Sequence, residues 1–244
     1  EAGLQEWASS IKESFPNWKV YVSSKINEFE YTQNKQLFPE NEKHRVLTED
    51  DLHLSVSIRS FRSENVAAFV KELLDANSEE ANRLFKIIQL TYPIVITRDI
   101  QKAKKWLRTK ARGSERFGII ASSGGKRLRP YAISVKNSIK PTDWFLNDQS
   151  DIRSSYYLED VATEFDVQGL ELDWTCVAWD ADLRMFGQEW KYKSFVGSKW
   201  RDINDSINKQ YLKNAYRVLL TRARQGMVIF IPQGSNKDIT RPSI

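Results

Sequence analysis

Four short apolar runs constrain the fold of this chain more than any other feature. Ile94-Val95-Ile96 and the stretches at 117–121, 174–179 and 227–231 are rich in β-branched and aromatic residues and show no regular polar alternation. A strand with one wet face alternates apolar with polar residues, whereas a strand covered on both faces does not. Segments with a helical repeat lie between the runs, so strand and helix alternate over residues 90–232. That order predicts an α/β domain of three layers around a mostly parallel sheet. A chain of 244 residues has room for one such domain and a fragment of a neighbour.

Local signals place the other elements. Residues 2–15 read as a helix and 18–22 as a short strand, while 23–50 are polar and aperiodic, as in a long surface loop. Ser63 is positioned to cap a helix whose stripe is Val66, Phe69, Val70, Leu73 and Leu74. Ser78 opens another helix through Leu84, Phe85 and Ile88. Asp99 caps a basic helix with Ala103, Trp106 and Leu107 on its inner side. Residues 233–244 read as a polar, frayed tail.

Charge and cysteine content narrow the function classes. The net charge of +5 favours polyanionic partners only weakly. Residues 98–129 hold eleven Lys and Arg against two acids, Asp99 and Glu115, a local net of +9. This is either a polyanion-binding face or a solvated helix face. A single cysteine, Cys176, excludes an internal disulfide framework and argues against a thiolate zinc site. With no apolar run near the roughly 20 residues that cross a bilayer and no leader, a cytoplasmic protein with no membrane partner is expected. The first residue is Glu1 rather than Met, so a missing or processed N-terminus is expected.

The sharpest local signal is the last helix, expected at about 206–223. On a wheel of about 100° per residue with Ala215 at zero, Tyr211, Leu212, Val218 and Leu219 fall within about 60°. Arg222 falls at about −20°, inside that stripe, while Arg217 and Arg224 point the other way. An arginine on a packing face must meet an anion, since an unpaired buried guanidinium is very costly. The bland alternative is a structural ion pair with Glu171 or Asp173.

The segment Tyr216-Arg217-Val218-Leu219-Leu220-Thr221-Arg222-Ala223-Arg224 resembles motif VI of superfamily-one helicases. Val167-Gln168-Gly169-Leu170-Glu171-Leu172-Asp173 is similar to their motif V, ahead of a buried strand. Leu54-Ser55-Val56-Ser57-Ile58-Arg59-Ser60 is similar to motif IV. The whole chain resembles the Schlafen group 3-like DNA/RNA helicase family. That wider likeness rests on the opening Glu1-Ala2-Gly3-Leu4-Gln5-Glu6-Trp7, the 117–129 stretch, and Glu164-Phe165 ahead of Gln168-Gly169.

This resemblance implies a three-layer RecA-like fold, with 51–232 as the second motor domain and 1–50 as a remnant of the first. It also implies that Arg222 and Arg59 reach a nucleotide γ-phosphate, with Gln168, Gly169 and Glu171 beside them. A fixed cation there contributes roughly 10³ to 10⁵ in rate. The partners implied are nucleic acid (DNA or RNA) in single-stranded form and the missing N-terminal RecA-like domain.

The sequence departs from a complete motor in one respect. A P-loop needs Gly-x-x-x-x-Gly-Lys-Ser/Thr. At Gly125-Lys126 the first glycine is replaced by Ile120, and Arg127 stands in place of the hydroxyl residue. No strand ends in an adjacent acidic pair, so ATP and Mg are expected only in the intact parent protein and neither on this chain alone.

Two other segments invite nucleic acid. Flexible glycines after a buried strand, followed by Lys126, Arg127 and Arg129, can bring amides and cations to a phosphate, with Ser123 in the same turn. The alternative is a glycine turn with exposed basic residues. Residues 184–201 interleave Phe186, Trp190, Tyr192, Phe195 and Trp200 with lysines, which suits either base stacking or a hairpin packed for its own stability. His44 and His53 have no acidic partner at ligand or triad spacing and read as structural. The leading expectation is the C-terminal half of an ATP-dependent helicase or translocase. The alternatives are a non-motor RNA or single-stranded DNA binding module, or a catalytically dead interaction domain.

Overall fold

A computed structural model describes residues 4–24, 26, 37–38, 45–52, 61–235 and 237–242, with the helical backbone alone at 4–6 and 61–63. The chain forms two compact units, residues 1–58 and 59–244. Arg59, His44 and His53 lie outside the described residues.

The first unit holds helix α1 (Leu4–Ser14) and strands β1 (Val20–Val22) and β2 (Val46–Thr48). The two strands pair in parallel, Val20 opposite Val46. The end of the expected 23–50 loop is therefore a strand. Trp7, Phe15, Trp18 and Tyr21 are all exposed.

The second unit opens with α2 (Phe61–Leu74) and α3 (Ser78–Ile88). There follow β3 (Ile94–Thr97), α4 (Ile100–Lys110), β4 (Phe117–Ala121), α5 (Pro141–Leu146), β5 (Val161–Thr163) and β6 (Leu172–Ala178). Strands β7 (Leu183–Phe186), β8 (Glu189–Val196) and β9 (Lys199–Asp202) form a separate antiparallel sheet. Helix α6 (Ser206–Leu220) and strand β10 (Ala223–Phe230) close the fold. The main sheet runs β3-β10-β6-β4-β5, and every neighbouring pair is parallel.

Strand periodicity explains the three layers. Ile120, Val177, Met227 and Ile229 join one core with Val70 and Leu74 of α2, Ile88 of α3 and Leu219 of α6. Their neighbours Ile119, Cys176, Val228 and Phe230 join the opposite core with Ala103 and Leu107 of α4. Both faces are covered, so every position in these strands favours an apolar residue. The expected α/β architecture with a parallel sheet is the observed one.

Capping chemistry was legible at Asp99, whose side chain accepts from the backbone N–H groups of Gln101 and Lys102. Helix α3 opens at Ser78, as expected, and its cap is Asn77, whose side chain accepts from Glu80 N–H. Helix α2 starts at Phe61, two residues ahead of Ser63.

The last helix needs correction. It ends at Leu220 with Thr221 as its cap, so Arg222 stands in the turn before β10 rather than on the wheel. Its buried residues are Ala215, Tyr216, Leu219 and Leu220. The packed face is thus turned roughly 70° from Ala215 toward Tyr216. Tyr211, expected inside, is 57% exposed. Arg217, expected in solvent, is half-buried, and its buried Nε has no hydrogen-bond partner among the described residues. The cause is Tyr216, whose hydroxyl is drawn inward to Asp182.

One glycine shows how tightly the sheet is covered. A Cβ on Gly118 of β4 would lie 2.6 Å from Cζ2 of the buried Trp144. Gly118→Ala is expected to cost about 1–3 kcal/mol through overpacking, lowering the denaturation midpoint at constant m-value. An unchanged midpoint would mean that the indole swings clear at no cost.

Candidate nucleotide and nucleic-acid site

Arg222 lies at the end of the sheet where β6 and β10 begin. Its backbone carbonyl accepts from Leu172 N–H at 3.0 Å, which ties the turn to the start of β6. The residue is 8% exposed. Nε donates to the Val218 carbonyl at 3.1 Å, and Nη1 to the carbonyls of Val167 at 3.5 Å and Leu170 at 3.4 Å. Those last two carbonyls bracket Gln168-Gly169. Gly169 adopts φ +79°, which lets the chain turn tightly there. The turn is closed by Leu170 N–H donating to the Val167 carbonyl at 3.1 Å.

The fold therefore brings Arg222 to the segment containing Gln168, Gly169 and Glu171, with Gln168 and Gly169 exposed at the tip. Three carbonyl oxygens accept from the guanidinium and fix the orientation of its fork. Asp173, one of the carboxylates considered for a structural pair, is used elsewhere. It accepts from Arg116 N–H at 2.8 Å and pairs with Arg224 at 3.6 Å.

At the opposite end of the sheet, the turn after β4 closes on buried carboxylates. Ser122 Oγ donates to Asp182 Oδ2 at 2.8 Å and accepts from Gly124 N–H at 3.1 Å. Ser123 donates to Glu164 through both its N–H, at 2.7 Å, and its Oγ, at 2.6 Å. Arg127 N–H donates to Asp180 Oδ2 at 3.0 Å. A Cβ on Gly124 would sit 2.8 Å from Asp182 Oδ2, so the glycine permits the close approach. The amides expected to face a phosphate are thus engaged inside the protein.

The side chains of this turn face outward but have partners. Lys126 Nζ donates to the Phe195 carbonyl at 3.3 Å. Arg127 donates to Thr240 Oγ1 at 2.6 Å and pairs with Asp238 at 3.5 Å. Arg129 is exposed.

Asp180, Asp182, Glu164 and Tyr216 form the polar centre that sequence reasoning did not find. The available signal was Asp-Ala-Asp directly after a buried strand. Asp182, 1% exposed, accepts from Ser122 Oγ, Tyr216 OH and Leu183 N–H. Burial, reinforced by the neighbouring Asp180, pushes its carboxyl up to about 7. Burial also raises Asp180, against the opposing pull of the Arg127 and Ala181 N–H groups.

The basic 98–129 segment does not form one face. Lys104 is buried and pairs with Glu159 at 3.3 Å. Arg116 donates to the carbonyls of Trp144 and Asn147 and lies 4.5 Å from the Tyr156 ring centroid. Lys102, Lys105, Arg108 and Lys110 remain exposed on α4. Among the described residues, no cluster of His, Cys, Asp and Glu could hold a metal ion, and no helix is long and apolar enough to cross a membrane.

The family model for the Schlafen group 3 DNA/RNA helicase domain matches residues 2–233. No curated protein and no solved structure matches the chain.

Proposed function

The chain belongs to the Schlafen group 3 DNA/RNA helicase-domain family, and we propose that it is the C-terminal RecA-like part of an ATP-driven helicase or translocase. The observation that carries this proposal is the clasp of Arg222 by the Val167 and Leu170 carbonyls. Phosphoryl transfer spreads charge over the γ-phosphoryl oxygens, and a guanidinium already held in place stabilises that charge without reorganising. Arg222 takes this role, with Arg59 as a second cation and Gln168, Gly169 and Glu171 beside the nucleotide.

The residues present fit only the outer charge of a triphosphate. The grip on the β-phosphate and Mg would come from an upstream domain, because this sequence has no Gly-x-x-x-x-Gly-Lys-Ser/Thr. The first unit supports that division. Parallel strands are found covered on both faces, yet β1 and β2 form a two-stranded parallel sheet accompanied by four exposed aromatic residues. Such a unit fits a piece of a larger α/β domain.

The direct test compares this chain with the full-length protein. Residues 1–244 alone should show no ATP turnover, with or without single-stranded nucleic acid, while the full-length protein should be stimulated by it. Stimulated turnover by the isolated chain would sink the proposal.

A further inference from the structure

We propose that the outer face of the β7–β8–β9 sheet, edged by Lys126 and Arg127, is a stacking platform for the bases of a single-stranded nucleic acid. This rests on the helicase reading above and assigns a place to its nucleic-acid contact. Strand alternation sorts the side chains of this sheet into two sets. Leu183, Trp190 and Tyr192 turn inward to the main core. Trp190 stacks on Trp179 at 5.7 Å and donates its indole N–H to the Leu73 carbonyl at 3.0 Å, so its packing role is filled.

The outward set is Arg184, Phe186, Lys191, Lys193, Phe195 and Trp200, together with the acids Glu189 and Asp202. Register places Arg184 opposite Lys191 and Phe195 opposite Trp200. Arg184 lies 5.8 Å from the Trp200 ring, and Phe195 meets Trp200 at 5.1 Å. From the turn after β4, Arg127 lies 5.2 Å over Phe195, and Lys126 Nζ holds the Phe195 carbonyl. Two sequence segments about seventy residues apart thus share one surface of rings and cations. The tight turns at Gly187 and Gly197, each at φ +63°, fix the hairpin ends. Phe186 stands at the first of them, 76% exposed.

The chemistry of this face selects its occupant. Rings alone would suit an apolar partner, but here cations are interleaved with them. Glu189 and Asp202 pair with Lys191 and Lys193, and Asp238 with Arg127. Against those three acids stand five cations, including Lys126 and Arg184, so the face stays net positive. A polyanion that also presents free π faces is a single strand; a duplex keeps its base faces inside its own stack. Bases stack on aromatic rings and on guanidinium planes without sequence preference.

The test uses full-length protein and a fluorescein-labelled oligothymidylate or oligouridylate, with a blunt duplex of equal length as the comparison. Anisotropy is read over a range of salt concentrations. Phe186→Ala should weaken single-strand binding roughly 5- to 100-fold, the effect of one lost stack, with an unchanged salt slope and little effect on the duplex. Phe186→Trp should restore affinity. Lys191→Ala with Lys193→Ala should flatten the log–log salt slope by about 0.7 per lost phosphate contact. If wild-type protein binds single strands while all these variants match it, the platform is overturned and the helicase reading stands. An equal loss on single strand and duplex would also overturn base stacking. Wild-type protein that binds no single strand would defeat the helicase reading and the platform together.

Discussion

In the full-length protein, Arg222→Ala is expected to slow nucleic-acid-stimulated ATP turnover by roughly 10³-fold or more. Single-strand affinity should stay within a few-fold of wild type, because the residue sits at the end of the sheet opposite the Ser122–Arg127 turn. The loss should appear in kcat with little change in KM for ATP, the signature of an interaction realised in the transition state. Arg222→Lys should fail to rescue. Nε and Nη1 of the fork reach three different carbonyls, and an ammonium cannot hold that geometry. Losing those bonds also loosens the 167–170 turn, so thermal stability must be followed in parallel. Arg224→Ala is the control. That side chain is 61% exposed and its 3.6 Å pair with Asp173 is a surface contact, worth little. Turnover of Arg222→Ala within tenfold of wild type would reduce Arg222 to a clasp for the turn.

Asp182→Asn is expected to remove a pH dependence of stability that the wild-type domain shows between about pH 4 and 7. The unfolded carboxyl titrates near 3.9, and burial with Asp180 nearby lifts the folded value to about 7. The folded state therefore keeps a proton that the unfolded state has already released. Stability from this group is full below the unfolded pKa and is lost as pH rises through the folded pKa, a change on the order of 4 kcal/mol. The groups facing Asp182 are Asp180, Tyr216 OH, Ser122 Oγ and Leu183 N–H. Asparagine keeps the volume but cannot ionise. Denaturation midpoints from pH 4 to 8 should converge with wild type at the acid end and separate toward neutrality. Parallel profiles would place the carboxyl in contact with water and remove Asp182 as the source.

Several features were open to direct reading because they depend on neighbours in sequence. Lack of alternation in the runs at 94–96, 117–121, 174–179 and 227–231 follows from covering both faces of a strand, whatever covers them. Asp99 as a cap depends only on amides two and three residues ahead. Strand β5 escaped because three residues, Val-Ala-Thr, carry no period. The Gln168-Gly169 and Thr221-Arg222 segments were legible as a pair only through their resemblance to helicase motifs.

Other features required the coordinates, since each depends on contacts between distant residues. Ser122 meets Asp182 across 60 positions and Arg222 meets Val167 across 55. The wheel for α6 went astray at Tyr216 because an aromatic ring with a hydroxyl packs inward only where a buried acceptor waits, and Asp182 is 34 residues away. Local periodicity and capping chemistry by themselves determined the layers and most of the strands, since burial on two faces leaves its mark residue by residue. Only the tertiary structure decided that the glycine turn spends its amides on buried carboxylates and that its cations join the aromatic sheet. Hydrogen-bond satisfaction in a dry interior is settled by which partners the folded chain brings within about 3 Å.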